Sequence, residues 1–223
     1  KEDNAEMYNV LVTTVHKRIV NRYKSVLGKA GLRVTVVDTG ENAREKLLKH
    51  LAAQDKSFNI CGGICILDLG TKFTRASIYH NGNYFISNVI KKSGQQLTEV
   101  IARNSGKDIL SSETMKREID FLNQPHPNAE LKSAVTYEID SLLYEIARLF
   151  DYYRNRAKST VHTVFLSGGG ALMPGLVEYM GRHLGLPVYL SSMLLPAARS
   201  TNTVDHRGFT LLLNAYAATL REE

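Results

Sequence analysis

The chain contains no tryptophan, only two cysteines and only five prolines among its 223 residues. Two cysteines exclude a disulfide-stapled scaffold. Cys61 and Cys65 lack the spacing of a zinc half-site, and there is no second pair to complete one. Flanking Gly62 and Gly63 at the start of an apolar segment, they read as small buried residues of a reducing compartment. No apolar run approaches the ~20 residues that span a bilayer. The seven histidines form no cluster at metal-ligand spacing. His126 lies between prolines and His206 follows Asp205, so both read as surface residues. No Gly-x-Ser-x-Gly elbow and no P-loop lysine motif occurs. Neither sign of charge dominates: the formal net charge is +6. The basic residues are scattered and not interleaved with aromatics, so no nucleic-acid partner is expected. The chain opens on Lys1 with neither an initiator methionine nor a secretory leader, as expected of a fragment.

What the chain does have is glycine in two informative places. Ile66-Leu67-Asp68-Leu69-Gly70-Thr71 is an apolar strand that delivers a carboxylate and a glycine to a tight turn. About a hundred residues on, the strand Val164-Phe165-Leu166 runs into Ser167-Gly168-Gly169-Gly170-Ala171. Glycine turns let backbone N–H groups approach an anion, and an adjacent Asp can hold a cation or orient a water. Neither segment is specific alone, since Asp-x-Gly is common and Asp forms turns readily. In this order they suggest a nucleotide cleft.

Periodicity supplies the frame. Residues 9–13 read as a strand. Ile19, Val20, Tyr23, Val26, Leu27 and Ala30 form a helical stripe stopped by Gly31, and Leu32, Val34 and Val36 alternate as a second strand, giving a β-α-β unit. Residues 41–54 read as a helix with Ala43, Leu47, Leu48 and Leu51 on one face. The polar Asp55-Lys56-Ser57 suits a domain boundary. Strands at 64–69, 75–79 and 84–90, with Asn81-Gly82 as a hairpin turn, predict an antiparallel meander. Gly94 opens a helix carrying Leu97, Val100 and Ile101. Residues 105–133 read as a small helical or irregular insertion. A long helix bears Val135, Ile139, Leu142, Leu143, Ile146, Leu149, Phe150 and Tyr153. A strand at 163–167, a helix begun by Pro174 and stopped by Gly185, a short strand at 188–190 and a final helix through Phe209 and Leu220 follow.

This order resembles the second half of the actin-like ATPases. Asp68-Leu69-Gly70-Thr71 is similar to their second phosphate loop, and Ser167 to Ala171 to their adenosine motif. Within the superfamily the chain resembles the PilM family of type IV pilus assembly. Ser93-Gly94-Gln95-Gln96-Leu97-Thr98, the helix end Asp151-Tyr152-Tyr153 and Met173-Pro174-Gly175-Leu176 carry that likeness, which covers roughly residues 8–190. The cell-division protein FtsA is a near relative. Ser93 departs from a family glycine, and Ala217 lies near another. A first phosphate loop has no counterpart in the chain.

The resemblance implies an α/β fold: an actin-like, ribonuclease-H-like domain over 58–223, preceded by a truncated first-domain β-α-β unit and linking helix over 1–57. It implies ATP with Mg²⁺ in an interdomain cleft, bound weakly or not at all by this fragment, and at most slow hydrolysis. Asp68 would organise the cation and water. Gly70, Thr71, Gly94, Gln96, Gly168, Gly169 and Gly170 would line the nucleotide. The partner implied is the cytoplasmic tail of an inner-membrane, PilN-like assembly protein, bound mainly through the first domain. Self-association is a further expectation. The location implied is cytoplasmic, peripheral to the inner membrane, without direct insertion. Three alternatives stand beside this. An FtsA-like protein would carry a C-terminal amphipathic helix, which is missing after Leu220. A small-molecule kinase would need an acceptor domain for which residues 1–57 leave no room. A degenerate actin-fold module would keep the fold and lose the nucleotide.

Overall fold

A computed structural model of the chain describes residues 12–195 and 206–220. By internal contacts it divides into two units, 1–39 and 40–223. In the first, α1 (Lys17–Lys29) starts where His16 Nδ1 accepts the Arg18 amide, and it stops at Gly31, whose φ is +76°. Its apolar residues Ile19, Tyr23 and Val26 are exposed. The strand expected over 32–36 is absent among the described residues: 32–39 make no ladder. A strand persists only where a neighbour takes its N–H and C=O groups, and alternation alone supplies no neighbour. Most of the other expected strand, 9–13, lies outside the described residues; Val12 and Thr13 are in no ladder.

The second unit contains α2 (Gly40–Gln54), β1 (Gly63–Leu69), β2 (Thr74–His80), β3 (Asn83–Ile90), α3 (Gly94–Ser105), α4 (Ile109–Glu118), α5 (Ala129–Ala157), β4 (Val161–Ser167), α6 (Leu176–Leu184), β5 (Val188–Leu190) and α7 (His206–Thr219). The strands form one sheet of order β3-β2-β1-β4-β5. β1, β2 and β3 pair antiparallel as the expected meander, and β4 lies parallel to both β1 and β5. The expected boundary after residue 57 and the contact division differ. α2 packs its Ala43, Leu47, Leu48 and Leu51 against the sheet and so belongs with the larger unit.

Helices cover both faces of the sheet, so central strands are buried on both sides and read as unbroken apolar runs. Along β1, Cys65, Leu67 and Leu69 join a core with α3, α5 and α6. Ile64 and Ile66 join a second core with α2 and with Phe209, Leu213 and Ala217 of α7. Side chains alternate along a strand, which assigns Asp68 to the face of Ile64 and Ile66, under α2 and α7. Cys65 is fully buried, and burial pushes its thiol pKa far above the ordinary value. It is an inert core residue. Cys61, also expected to be buried, is exposed, because it lies in the turn before β1 begins at Gly63.

Local chemistry explains most element ends. Asn81 (φ +52°) and Gly82 (φ +77°) make the two-residue hairpin. The insertion resolves into α4, capped by the Asp108 side chain, and a turn leading to α5, capped by Asn128. Pro174 does not open α6: the helix starts at Leu176, because Gly175 takes a left-handed conformation as its N-cap (φ +76°). The two departures from the family pattern both have local roles. Ser93 is the N-cap of α3, its Oγ accepting the Gln96 amide at 3.2 Å. Ala217 is fully buried in the core shared by α2 and α7, where a small residue fits. Among the described residues no helix is long and apolar enough to cross a membrane.

Candidate functional site

Asp68 stands at the carboxyl end of β1, opposite Ser167 of β4 and Arg75 of β2. Carboxyl ends of parallel strands are where open α/β sheets bind ligands, because chains diverge there and leave a crevice. Two turns meet at this end. The first follows β1: the Gly70 amide donates to Asp68 O and to Phe73 O, and a Cβ on Gly70 would lie 2.8 Å from Phe73 O. Thr71 is exposed beside it. The second follows β4: Gly168 has φ +82°, and Gly169 begins a 3-10 turn, Gly169–Leu172.

The three glycines are not equivalent. A Cβ on Gly168 would sit 2.7 Å from Asp68 Oδ1 and 2.8 Å from Leu69 O; one on Gly170 would sit 2.9 Å from Leu69 Cβ. Both are required so that the turn can lie against the end of β1. Among the described residues a Cβ on Gly169 meets only Leu211 Cδ2, at 4.0 Å, and this glycine is exposed. Its lack of a side chain is not demanded by the chain's own packing. Gly168→Ala combines the left-handed penalty, roughly 1–2 kcal/mol, with backbone overlap, about 1–3 kcal/mol. Urea unfolding should show a loss of about 2–5 kcal/mol, and a loss below ~1 kcal/mol would contradict this packing.

The remaining two expected residues, Gly94 and Gln96, lie at the start of α3. The first amides of α3 point at the Asp68 turn: Gly94 N donates to Gly70 O and Gln95 N to Thr71 O, each at 3.0 Å. Gly94 therefore braces the turn from behind. The Gln96 side-chain amide donates through Nε2 to Glu138 Oε2 on α5 at 3.1 Å, beside the Lys92–Glu138 ion pair. Here a cavity of about 40 Å³ is lined by residues of α3 and α5 together with Leu69, Gly170 and Met173, room for water but not for a nucleotide.

Behind Gly94, the mostly buried Lys116 ammonium donates to Gly94 O (2.9 Å), Thr98 Oγ1 (2.7 Å) and Glu113 Oε2 (2.6 Å). Burial raises the Glu113 pKa, but hydrogen bonds from Lys116, Thr98 and Arg117 outweigh it and hold it at about 2, below the ordinary 4.5. A carboxylate with a depressed folded pKa stabilises the fold above its unfolded pKa and loses that contribution as pH falls. Stability should therefore decline between pH 4.5 and about 2, and Glu113→Gln should flatten that limb of an acid titration.

Sequence reasoning did not find the polar side chains that surround Asp68. Arg44 of α2 is 1% exposed, inside an otherwise apolar face. Its guanidinium donates to Tyr79 Oη (3.0 Å), Ser77 Oγ (3.2 Å) and Asn214 Oδ1 (2.9 Å). Burial, more than the opposing Arg44 charge, raises the Tyr79 pKa to about 12, so this phenol stays protonated. Glu41 accepts from Arg75 at 2.9 Å and lies 3.6 Å from Arg44. Asn214 of α7 donates to Asp68 Oδ2 at 3.0 Å. The one available signal was Arg44 within the stripe Ala43, Leu47, Leu48, Leu51, a charge at a core-facing position.

Among the described residues no three His, Cys, Asp or Glu side chains converge on a possible metal position. A single carboxylate next to an unfilled glycine turn fits Mg²⁺ that brings phosphate oxygens and water as its other ligands.

This fold is that of the actin-like ATPases. A PilM–PilN type IV pilus biogenesis complex contains a chain similar at TM-score 0.65 and 20% identity, over 89% of this chain and 56% of that one. The ethanolamine utilization protein EutJ of Carboxydothermus hydrogenoformans is similar at TM-score 0.61 and 19% identity, over 90% and 61%. MreB5 of Spiroplasma citri, solved with AMPPNP, is similar at TM-score 0.61 and 16% identity, over 92% and 65%. The chain thus spans between about half and two thirds of these structures' lengths. The profile of the type IV pilus assembly protein PilM family matches residues 1–215. The chain belongs to that family.

Proposed function

We propose that the chain contributes the second half of an ATP–Mg²⁺ site in a scaffold protein of type IV pilus assembly, and that nucleotide governs which surface is offered to a partner. The observation that carries this reading is the open position at Gly169. Gly168 and Gly170 are explained by contacts with β1, whereas among the described residues only Leu211 Cδ2, at 4.0 Å, comes near a Cβ on Gly169. Asp68 would hold Mg²⁺, Gly70 and Thr71 would face the terminal phosphates, and Gly168, Gly169 and Gly170 the α-phosphate and ribose. Gly94 would serve by bracing the turn, and Gln96 by tying the start of α3 to Glu138 of α5. The bound cation would neutralise phosphate charge and align the terminal phosphate. This chain's residues would position it, and turnover would be slow, since Asp68 is the one acid at the turn.

The partner proposed is a short cytoplasmic tail of a PilN-like inner-membrane protein; the chain similar to this one in the PilM–PilN complex supports that choice. The protein would then lie at the inner membrane through its partner. Nucleotide closing the cleft would shift the population of the partner-binding state by its differential affinity alone. Calorimetric titration of the full-length protein with ATP, with Mg²⁺ and then with EDTA, tests the reading. Saturable binding strengthened by Mg²⁺ is expected, with weak binding by residues 1–223 alone. Absence of binding by the full-length protein would favour a degenerate interaction module.

A further inference from the structure

We infer that Asn214 is a positioning residue for Asp68: fixed by the buried Arg44 guanidinium, its side-chain amide holds one carboxylate oxygen and leaves the other facing the glycine turn, an inference that rests on the cation-binding reading of Asp68. An amide's oxygen and nitrogen ends are normally assigned from their neighbours. Here the neighbours allow one assignment. A guanidinium is donor-only, so the Asn214 oxygen must face Arg44 Nη1, at 2.9 Å. The amide nitrogen is thereby turned to Asp68 Oδ2, at 3.0 Å. Asn214 is exposed on α7, where an unheld side chain would sample other rotamers. Arg44 is held by Tyr79, Ser77 and the nearby Glu41, and that rigidity passes to Asn214.

The arrangement also keeps the charge of Asp68 available. A direct arginine–carboxylate pair would be bidentate and would compete with a cation for both oxygens. Arg75 is the cross-strand neighbour of Asp68, yet its ion pair is with Glu41, at 2.9 Å. Arg44 is likewise 3.6 Å from Glu41 and reaches Asp68 only through the neutral amide. Glu41 thus draws one arginine aside and the amide insulates the other. Asp68 Oδ1 is left beside Gly168, where a Cβ would come within 2.7 Å of it. Glu41 and Arg44 lie in the first turns of α2, immediately after the junction with residues 1–39. The relay therefore ties the start of that helix to the carboxylate.

Two readouts on the full-length protein test this. In selectively labelled protein without nucleotide, the Asn214 side-chain amide should exchange with water at least about tenfold more slowly than that of exposed Asn155, and Asp68→Ala should abolish the difference. Equal exchange in the wild type would overturn the relay. In titrations with ATP, Asn214→Leu, close in volume, should cut the Mg²⁺-dependent gain in affinity about tenfold, while affinity in EDTA stays within about threefold. Leu212→Ala, an exposed change on the same helix, controls for effects on α7. Equal loss with and without Mg²⁺, or no loss, would overturn the positioning role. If the wild type binds no ATP, the nucleotide reading fails by itself, and the amide exchange alone decides whether Asn214 is held.

Discussion

Gly169→Val should abolish ATP binding by the full-length protein while leaving its melting temperature almost unchanged. The variant separates ligand from fold because, among the described residues, the nearest atom to a Cβ there is Leu211 Cδ2 at 4.0 Å. Neither residue has a strong helical preference, so the local cost is within about 0.5 kcal/mol either way. A branched side chain would stand where ribose and α-phosphate must approach the backbone. The expected loss exceeds tenfold in Kd, over ~1.4 kcal/mol. Binding retained within about threefold in a folded variant would remove Gly169 from the site. Gly168→Ala is the mirror case, since its penalty falls on folding whether or not any nucleotide binds.

Asp68→Asn should remove the contribution of Mg²⁺ to nucleotide affinity. Asparagine keeps the shape of aspartate, and its amide oxygen can still accept from Asn214, so stability should change by no more than about 1 kcal/mol. What disappears is the negative charge. Arg44 and Arg75 then face Glu41 alone, and the cluster becomes net positive where a cation should sit. ATP affinity in Mg²⁺ should fall at least tenfold, towards the value in EDTA. The opposite pattern is a lowered melting temperature with the Mg²⁺ effect intact. That result would make Asp68 a turn-forming residue, as its position beside the tight Gly70 turn would allow.

A nucleotide reading and a fold reading of the same glycines are distinguished only by three-dimensional neighbours. From the sequence, Gly168, Gly169 and Gly170 are three equal members of one motif. In the folded chain the first and third are required by the approach of the turn to Leu69, and the middle one is not. The same holds for Gly94 and Gln96, which the sequence presents as two members of one segment. Gly94 braces the Asp68 turn through its amide, and Gln96 turns to Glu138 on α5.

By itself the sequence determined the succession of the larger unit: the Asn81-Gly82 hairpin, the meander, the long helix and the strand running into three glycines. These follow from period-two and period-3.6 patterns and from turn residues whose conformational limits are local. It also placed Asp68 at the carboxyl end of an apolar strand. Local pattern overreached at residues 32–36, where alternation is present but no neighbouring strand completes a ladder among the described residues. It also overreached at Pro174, displaced from the start of α6 by the left-handed Gly175. Only the tertiary structure decided the company of Asp68. Arg44, Ser77, Tyr79 and Asn214 come from three elements separated by up to 170 residues. No periodicity encodes which buried guanidinium meets which exposed amide. That pairing follows from the packing of α2 and α7 on the same sheet face and from the rule that a buried charge must find partners.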